Sequence, residues 1–97
     1  MPRKEAPPEL IDTVRRKLQA AFDPDSLAIE DESRKHARHR EAAGRFHLSV
    51  RITSRRFEGL NPVARHRLVY EALAEELRGP LHALKVSAGV PSGPSGP

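Results

Sequence analysis

Apolar and polar side chains alternate strictly in residues 46–53, FHLSVRIT. This period of two is typical of a β-strand that buries one face and exposes the other. Residues 62–78 follow with a helical pattern, and the pattern of residues 81–88, LHALKVSA, predicts a third strand. The order strand, helix, strand predicts a helical crossover within one sheet.

The crossover helix has clear signals at both ends. Asn61 is a suitable N-cap, Pro62 fits the first helical position, and Gly79-Pro80 ends the helix after about 17 residues. We expect His66, which lies between two arginines on the apolar stripe, to be a structural imidazole that satisfies a buried backbone group. The predicted stripe consists of His66, Val69, Tyr70, Leu73 and Leu77.

The N-terminal half predicts a helix and a short strand. Pro7-Pro8 can begin a helix over residues 8–22, and Asp23-Pro24 ends it. Leu27 and Ile29 then alternate with polar or small residues, which indicates a first strand before a turn at residues 31–33. Residues 34–45, RKHARHREAAGR, have no sustained apolar face and predict a long mobile loop.

The element order helix, strand, strand, helix, strand predicts an α+β fold. Its three-stranded mixed sheet would have both helices packed on one face. The opposite face would be open, with exposed polar side chains at His47, Arg51, Lys85 and Ser87. We expect a disordered N-terminus over residues 1–8, one folded domain over residues 9–88, and a flexible tail over residues 89–97.

Composition limits the function. The 97 residues carry 17 Lys and Arg against 13 Asp and Glu, so the net charge of +4 favours acidic or polyanionic partners. Cysteine is absent, which excludes disulfides, thiolate nucleophiles and any metal site in which this chain alone supplies sulfur. No apolar run spans a bilayer and no catalytic motif stands out, so we expect a cytoplasmic protein that is neither membrane-bound nor an enzyme.

Several separated motifs resemble the BolA family, over about Glu9 to Ala88. The matching segments are Phe57-x-Gly59, Arg65-His66-Arg67-x-Val69, Leu73-x-Glu75-Glu76-Leu77, Leu81-His82-Ala83-Leu84, and Asp31-Glu32-Ser33 followed by His36 and His39. One departure is Leu48 after His47, where the family usually has an aromatic residue. The resemblance implies a fold similar to the class II KH type.

The resemblance also implies partnership with a monothiol glutaredoxin. In such a complex a two-iron, two-sulfur (2Fe-2S) cluster is shared for iron-sulfur trafficking or iron regulation, and the BolA-like protein gives a loop histidine and the histidine of the third strand. Here these are His36 or His39, with the choice open, and His82. The glutaredoxin would supply its cysteine and a glutathione, and the isolated chain would hold no cofactor.

The histidine chemistry agrees with that role. Imidazole can replace two thiolates on one iron, so a chain without cysteine could fill only the imidazole half of a cluster site. Ligation needs neutral imidazole, so acid should weaken the complex. From periodicity alone, however, His82 shares a face with Leu84 and Val86 and would be a half-buried, hydrogen-bonded histidine, and the loop histidines would be solvated.

DNA binding is the alternative that the resemblance implies, as transcriptional regulation. Five candidate phosphate-binding side chains are Arg51, Arg55, Arg56, Arg65 and Arg67. Such binding would depend strongly on salt. The GXXG loop of nucleic-acid-binding KH modules does not occur in this sequence. Self-association of the free chain to a homodimer is also left open.

Overall fold

The computed structural model describes residues 5–33 and 46–91. Its elements in chain order are α1 (Pro8–Phe22), β1 (Ser26–Asp31), β2 (Phe46–Thr53), a 3-10 turn (Arg55–Phe57), α2 (Pro62–Ala72), α3 (Ala74–Arg78) and β3 (Leu81–Gly89). The sheet order is β1-β2-β3, with β1 and β2 antiparallel and β2 and β3 parallel. The predicted α+β fold with a mixed three-stranded sheet is therefore confirmed.

The helix boundaries follow the predicted signals. α1 ends at Asp23, whose N–H donates to the Gln19 carbonyl and whose left-handed backbone (φ 45°) turns the chain away from the helix. α2 begins with the Asn61 side-chain oxygen accepting the Ala64 N–H at 2.8 Å. Local capping chemistry therefore sets where both helices start or stop.

The core lies on one face of the sheet, beneath the helices. The alternating residues Leu48, Val50 and Ile52 of β2 are its centre and are at most 1% exposed. The helices and neighbouring segments contribute the remaining buried apolar side chains: Ala6, Leu10, Val14, Leu18, Phe22, Phe57, Val69, Leu73, Leu81 and Leu84. One aliphatic cluster with two Phe rings thus joins all the main elements.

The predicted crossover helix differs from the structure in two ways. It is divided at Leu73 into α2 and α3, and its buried face runs through Val69, Leu73 and Glu76. His66 is exposed and packs its ring on Tyr70 with centroids 4.8 Å apart. The prediction of a buried structural His66 is wrong, because the helix turns Arg65 rather than His66 toward the sheet.

Among the described residues, the other face of the sheet carries exposed side chains, as predicted. Arg51, Lys85 and Ser87 are exposed there. His47 is the exception, since only 9% of it is exposed. The prediction of a surface His47 is wrong, because residues next to β1 and at the start of β3 cover its ring on this face.

Packing also includes residues on either side of the predicted domain. Ala6 is buried, and its N–H donates to Asp31 Oδ2 at 2.7 Å. Gly89 pairs with Thr53 as the last residue of β3. The division into residues 1–8, 9–88 and 89–97 stays a prediction, and residues 1–4 and 92–97 lie outside the described residues.

Candidate functional site

His82 lies at an interruption of the pairing between β2 and β3. Phe46 pairs with Leu81 and His47 pairs with Ala83, so His82 is the additional residue of a β-bulge. Leu81 and Leu84 are buried while His82 is exposed. The prediction that His82 shares the face of Leu84 is wrong, because the additional residue resets the alternation along β3.

His47 supports this exposed ring from the neighbouring strand. The ring centroids of His47 and His82 are 5.1 Å apart in an edge-to-face arrangement with an interplanar angle of 60°. The His47 N–H donates to Ser33 Oγ at 3.0 Å, and its carbonyl accepts the Glu32 N–H at 2.8 Å. Sequence reasoning did not include His47 in the site.

The segment leading into the loop is fixed by Asp31. Its Oδ1 accepts the Ser33 N–H at 3.0 Å, and its Oδ2 accepts the Ala6 N–H. Burial alone would raise the pKa of Asp31, but the hydrogen bonds from Ser33 and Ala6 hold this pKa below its usual value. The carboxylate is therefore ionised and holds the buried Ser33 beside His47.

A shallow pocket of about 230 Å³ adjoins the two rings. We name it the histidine pocket, and it is lined by Glu32, His47, Leu48, His82, Ala83 and Lys85. Glu32 is buried and forms an ion pair with Lys85 at 3.5 Å, although the Lys85 side chain is 76% exposed. Within residues 5–33 and 46–91, no three His, Cys, Asp or Glu side chains are grouped so that they could hold a metal ion.

His36 and His39 lie outside the described residues, but both ends of their loop are described. Ser33 contacts His47 at the start of the loop. At the other end, the Phe46 N–H donates to the Pro80 carbonyl at 2.9 Å, and Phe46 pairs with Leu81. The two residues that flank positions 34–45 therefore both lie next to the histidine pocket.

The five candidate arginines lie on three elements. Arg51 is exposed on β2, Arg55 is exposed in the 3-10 turn, and Arg67 is exposed on α2. Arg56 and Arg65 instead bind main-chain carbonyls. Arg56 donates to Ala21, and Arg65 donates to Leu60 and Ala88 at 2.8 and 3.3 Å. The half-buried Arg65 thus ties α2 to β3.

No helix in the described part of the chain is both long enough and apolar enough to cross a membrane.

Known proteins similar to this chain include BolA-like proteins and one that is named as a DNA-binding regulator. BolA-like protein 1 of Mus musculus is 47% identical over 79 residues, which are 81% of this chain and 56% of that protein. The chain thus spans about half the length of the first curated relatives it matches. The "DNA-binding transcriptional regulator BolA" of Vibrio cholerae is 43% identical over 75 residues, 77% of this chain and 69% of that protein.

Solved structures give the same result for the fold. The BolA domain of SufE1 from Arabidopsis thaliana superposes with a TM-score of 0.81 at 40% identity, covering 90% of this chain and 98% of that one. Some Arabidopsis relatives carry the words chloroplastic or mitochondrial in their names, so a cytoplasmic location stays a prediction. The model of the family described as BolA-like protein matches residues 18–92. Agreement of sequence, topology and family model shows that the chain belongs to the BolA family.

Proposed function

We propose that this chain binds a monothiol glutaredoxin and shares a 2Fe-2S cluster with it, for iron-sulfur cluster trafficking or iron regulation. His82 and one histidine of the loop, His36 or His39, would supply the imidazole ligands. The observation that carries the proposal is the exposure of His82 at a bulge beside which the loop both begins and ends.

The residues present fit half of such a site. Two imidazoles can replace two thiolates on one iron of a 2Fe-2S cluster. The chain has histidine and no cysteine, so the thiolates would come from the glutaredoxin cysteine and a bound glutathione. The cluster is cargo held between two proteins, and in this proposal the isolated chain holds none. Holding the cluster requires ligands from this chain and no catalysis by it.

Chain length allows either loop histidine to approach His82. His36 is three residues after Ser33, and His39 is six residues after it. An extended chain spans at most about 3.3–3.6 Å per residue, so the Cα atoms lie within roughly 11 Å and 22 Å of the Ser33 Cα. Because Ser33 contacts His47 and His47 contacts His82, both limits are compatible with ligation. His36 has the shorter tether.

The proposal is tested by anaerobic reconstitution with iron, sulfide, glutathione and a monothiol glutaredoxin. We expect the visible circular dichroism of the cluster to change when this chain is added, and to change less for one of His36→Ala and His39→Ala. If neither single variant nor the double variant changes the spectrum, neither His36 nor His39 is a ligand. No spectral change with the wild-type chain would remove the shared cluster itself.

DNA binding is the second candidate, and the name of the Vibrio cholerae relative supports it. The exposed Arg51, Arg55 and Arg67 are the side chains to test. Arg56 and Arg65 bind backbone carbonyls, so their loss would disturb the fold. We expect each Arg→Ala change to weaken duplex binding and to reduce the magnitude of the negative slope of log K against log salt by about 1. His82→Ala is the control. No binding at low salt would reject this function.

A further inference from the structure

We infer that His47 is a positioning residue that sets the direction of the His82 ring. The orientation is a property of the chain without its partner. Its consequence for the cluster rests on the proposed function.

His47 is held more firmly than its strand position suggests. Its main chain is bonded on both sides to the start of the loop, through the Ser33 hydroxyl and the Glu32 N–H. His47 lines the histidine pocket, and the residue is 9% exposed. A side chain fixed through both its backbone and its burial can act as a rigid wall for a neighbour.

The ring of His82 is the neighbour whose direction depends on such a contact. The bulge leaves it outside the regular alternation of β3, and it is exposed. Exposed side chains change rotamer on the picosecond to nanosecond timescale unless a contact holds them. The edge-to-face contact with His47, at 5.1 Å and 60°, is a favoured geometry for aromatic rings and selects one direction for His82.

The same geometry assigns support rather than ligation to His47. Its Nε2 atom is buried and does not reach the surface of this chain, and the His47→Phe variant tests whether either ring nitrogen contributes. His82, by contrast, is exposed at the pocket rim. In this inference His47 orients the His82 ring through the shape of its own ring, and His82 supplies the ligand nitrogen.

Two substitutions separate the shape of the His47 ring from its nitrogen atoms. His47→Ala removes the wall, and His47→Phe keeps an aromatic edge without nitrogen. We expect the three-bond couplings that report χ1 of His82 in the isolated chain to show one rotamer for wild type and His47→Phe, and averaging for His47→Ala. If alanine lowers the melting temperature too far, His47→Leu fills the space without an aromatic edge and should also give averaging.

The cluster experiment measures the consequence. Loss of a residue that orients a metal ligand typically costs roughly 10–100-fold in affinity, so we expect His47→Ala to weaken the cluster-bearing complex with glutaredoxin by about tenfold and His47→Phe to restore it. Identical His82 couplings in wild type and His47→Ala would overturn the inference. So would loss of the cluster in His47→Phe, because His47 would then act through nitrogen. If the couplings change as expected but wild type forms no shared cluster, the proposed function fails and the positioning role stands.

Discussion

Replacing His82 with alanine is expected to abolish the cluster signal contributed by this chain while leaving its fold unchanged. His82 is exposed, and surface substitutions usually change stability by no more than about 0.5 kcal/mol. Loss of an orienting residue costs roughly 10–100-fold in metal affinity, so loss of the ligand itself should cost about 100-fold or more. Visible circular dichroism of the reconstituted mixture measures this loss, and thermal unfolding of the isolated variant tests the fold.

His66→Ala is the matched control for this experiment. His66 is also an exposed histidine with its ring on an aromatic neighbour, but it lies on α2 and is not part of the histidine pocket. We expect it to retain the wild-type cluster signal. A His82→Ala mixture with the spectrum and stability of the wild-type mixture would show that His82 is not a ligand, whatever the loop histidines do.

The fold could be predicted because its signals are local. The alternation of Leu48, Val50 and Ile52 identifies the central strand from eight consecutive residues. Asn61-Pro62 likewise sets the start of α2 through contacts within one helical turn. Short-range patterns of this kind do not depend on how distant segments meet, and handedness rules then leave few ways to connect the elements.

The surroundings of His82 and His47 were predicted less well because their geometry depends on distant segments. The bulge at His82 is created where β3 meets β2, and no pattern within residues 81–88 indicates it. His47 is buried by residues 14 or more positions away, including Ser33 and His82. Alternation correctly assigned His47 to the open face of the sheet. The alternation could not indicate that residues just after β1, including Ser33, cover the open face of the sheet at His47.

The error at His66 has a different physical origin. Arg65 and His66 lie on opposite sides of the apolar stripe that contains Val69. A rotation of the helix about its axis therefore decides which of the two faces the sheet. The Arg65 guanidinium settles that rotation by donating to the Leu60 and Ala88 carbonyls. An arginine that satisfies backbone acceptors can thus displace a less polar side chain from a predicted buried stripe.

Phe57→Ala is expected to cause the largest loss of stability. Phe57 is fully buried in the 3-10 turn after β2, with its ring centroid 5.0 Å from that of Phe22 at the end of α1. Removing a buried Phe side chain costs about 3–5 kcal/mol through lost burial and the cavity that remains. This is a large share of the roughly 5–15 kcal/mol that stabilises a typical domain. Urea unfolding with unchanged m-value would measure it.

Val63→Ala supplies the comparison for Phe57→Ala, because Val63 is 63% exposed a few residues further along the chain and should change stability by no more than about 0.5 kcal/mol. A loss below about 1 kcal/mol for Phe57→Ala would mean that the segment joining β2 to α2 is not packed as described. Phe57 is not part of the histidine pocket, so the fraction of Phe57→Ala that remains folded should still give the cluster signal. Under the proposed function, His82→Ala should lose the cluster signal and keep its stability, whereas Phe57→Ala should lose stability and keep the cluster signal of its folded fraction.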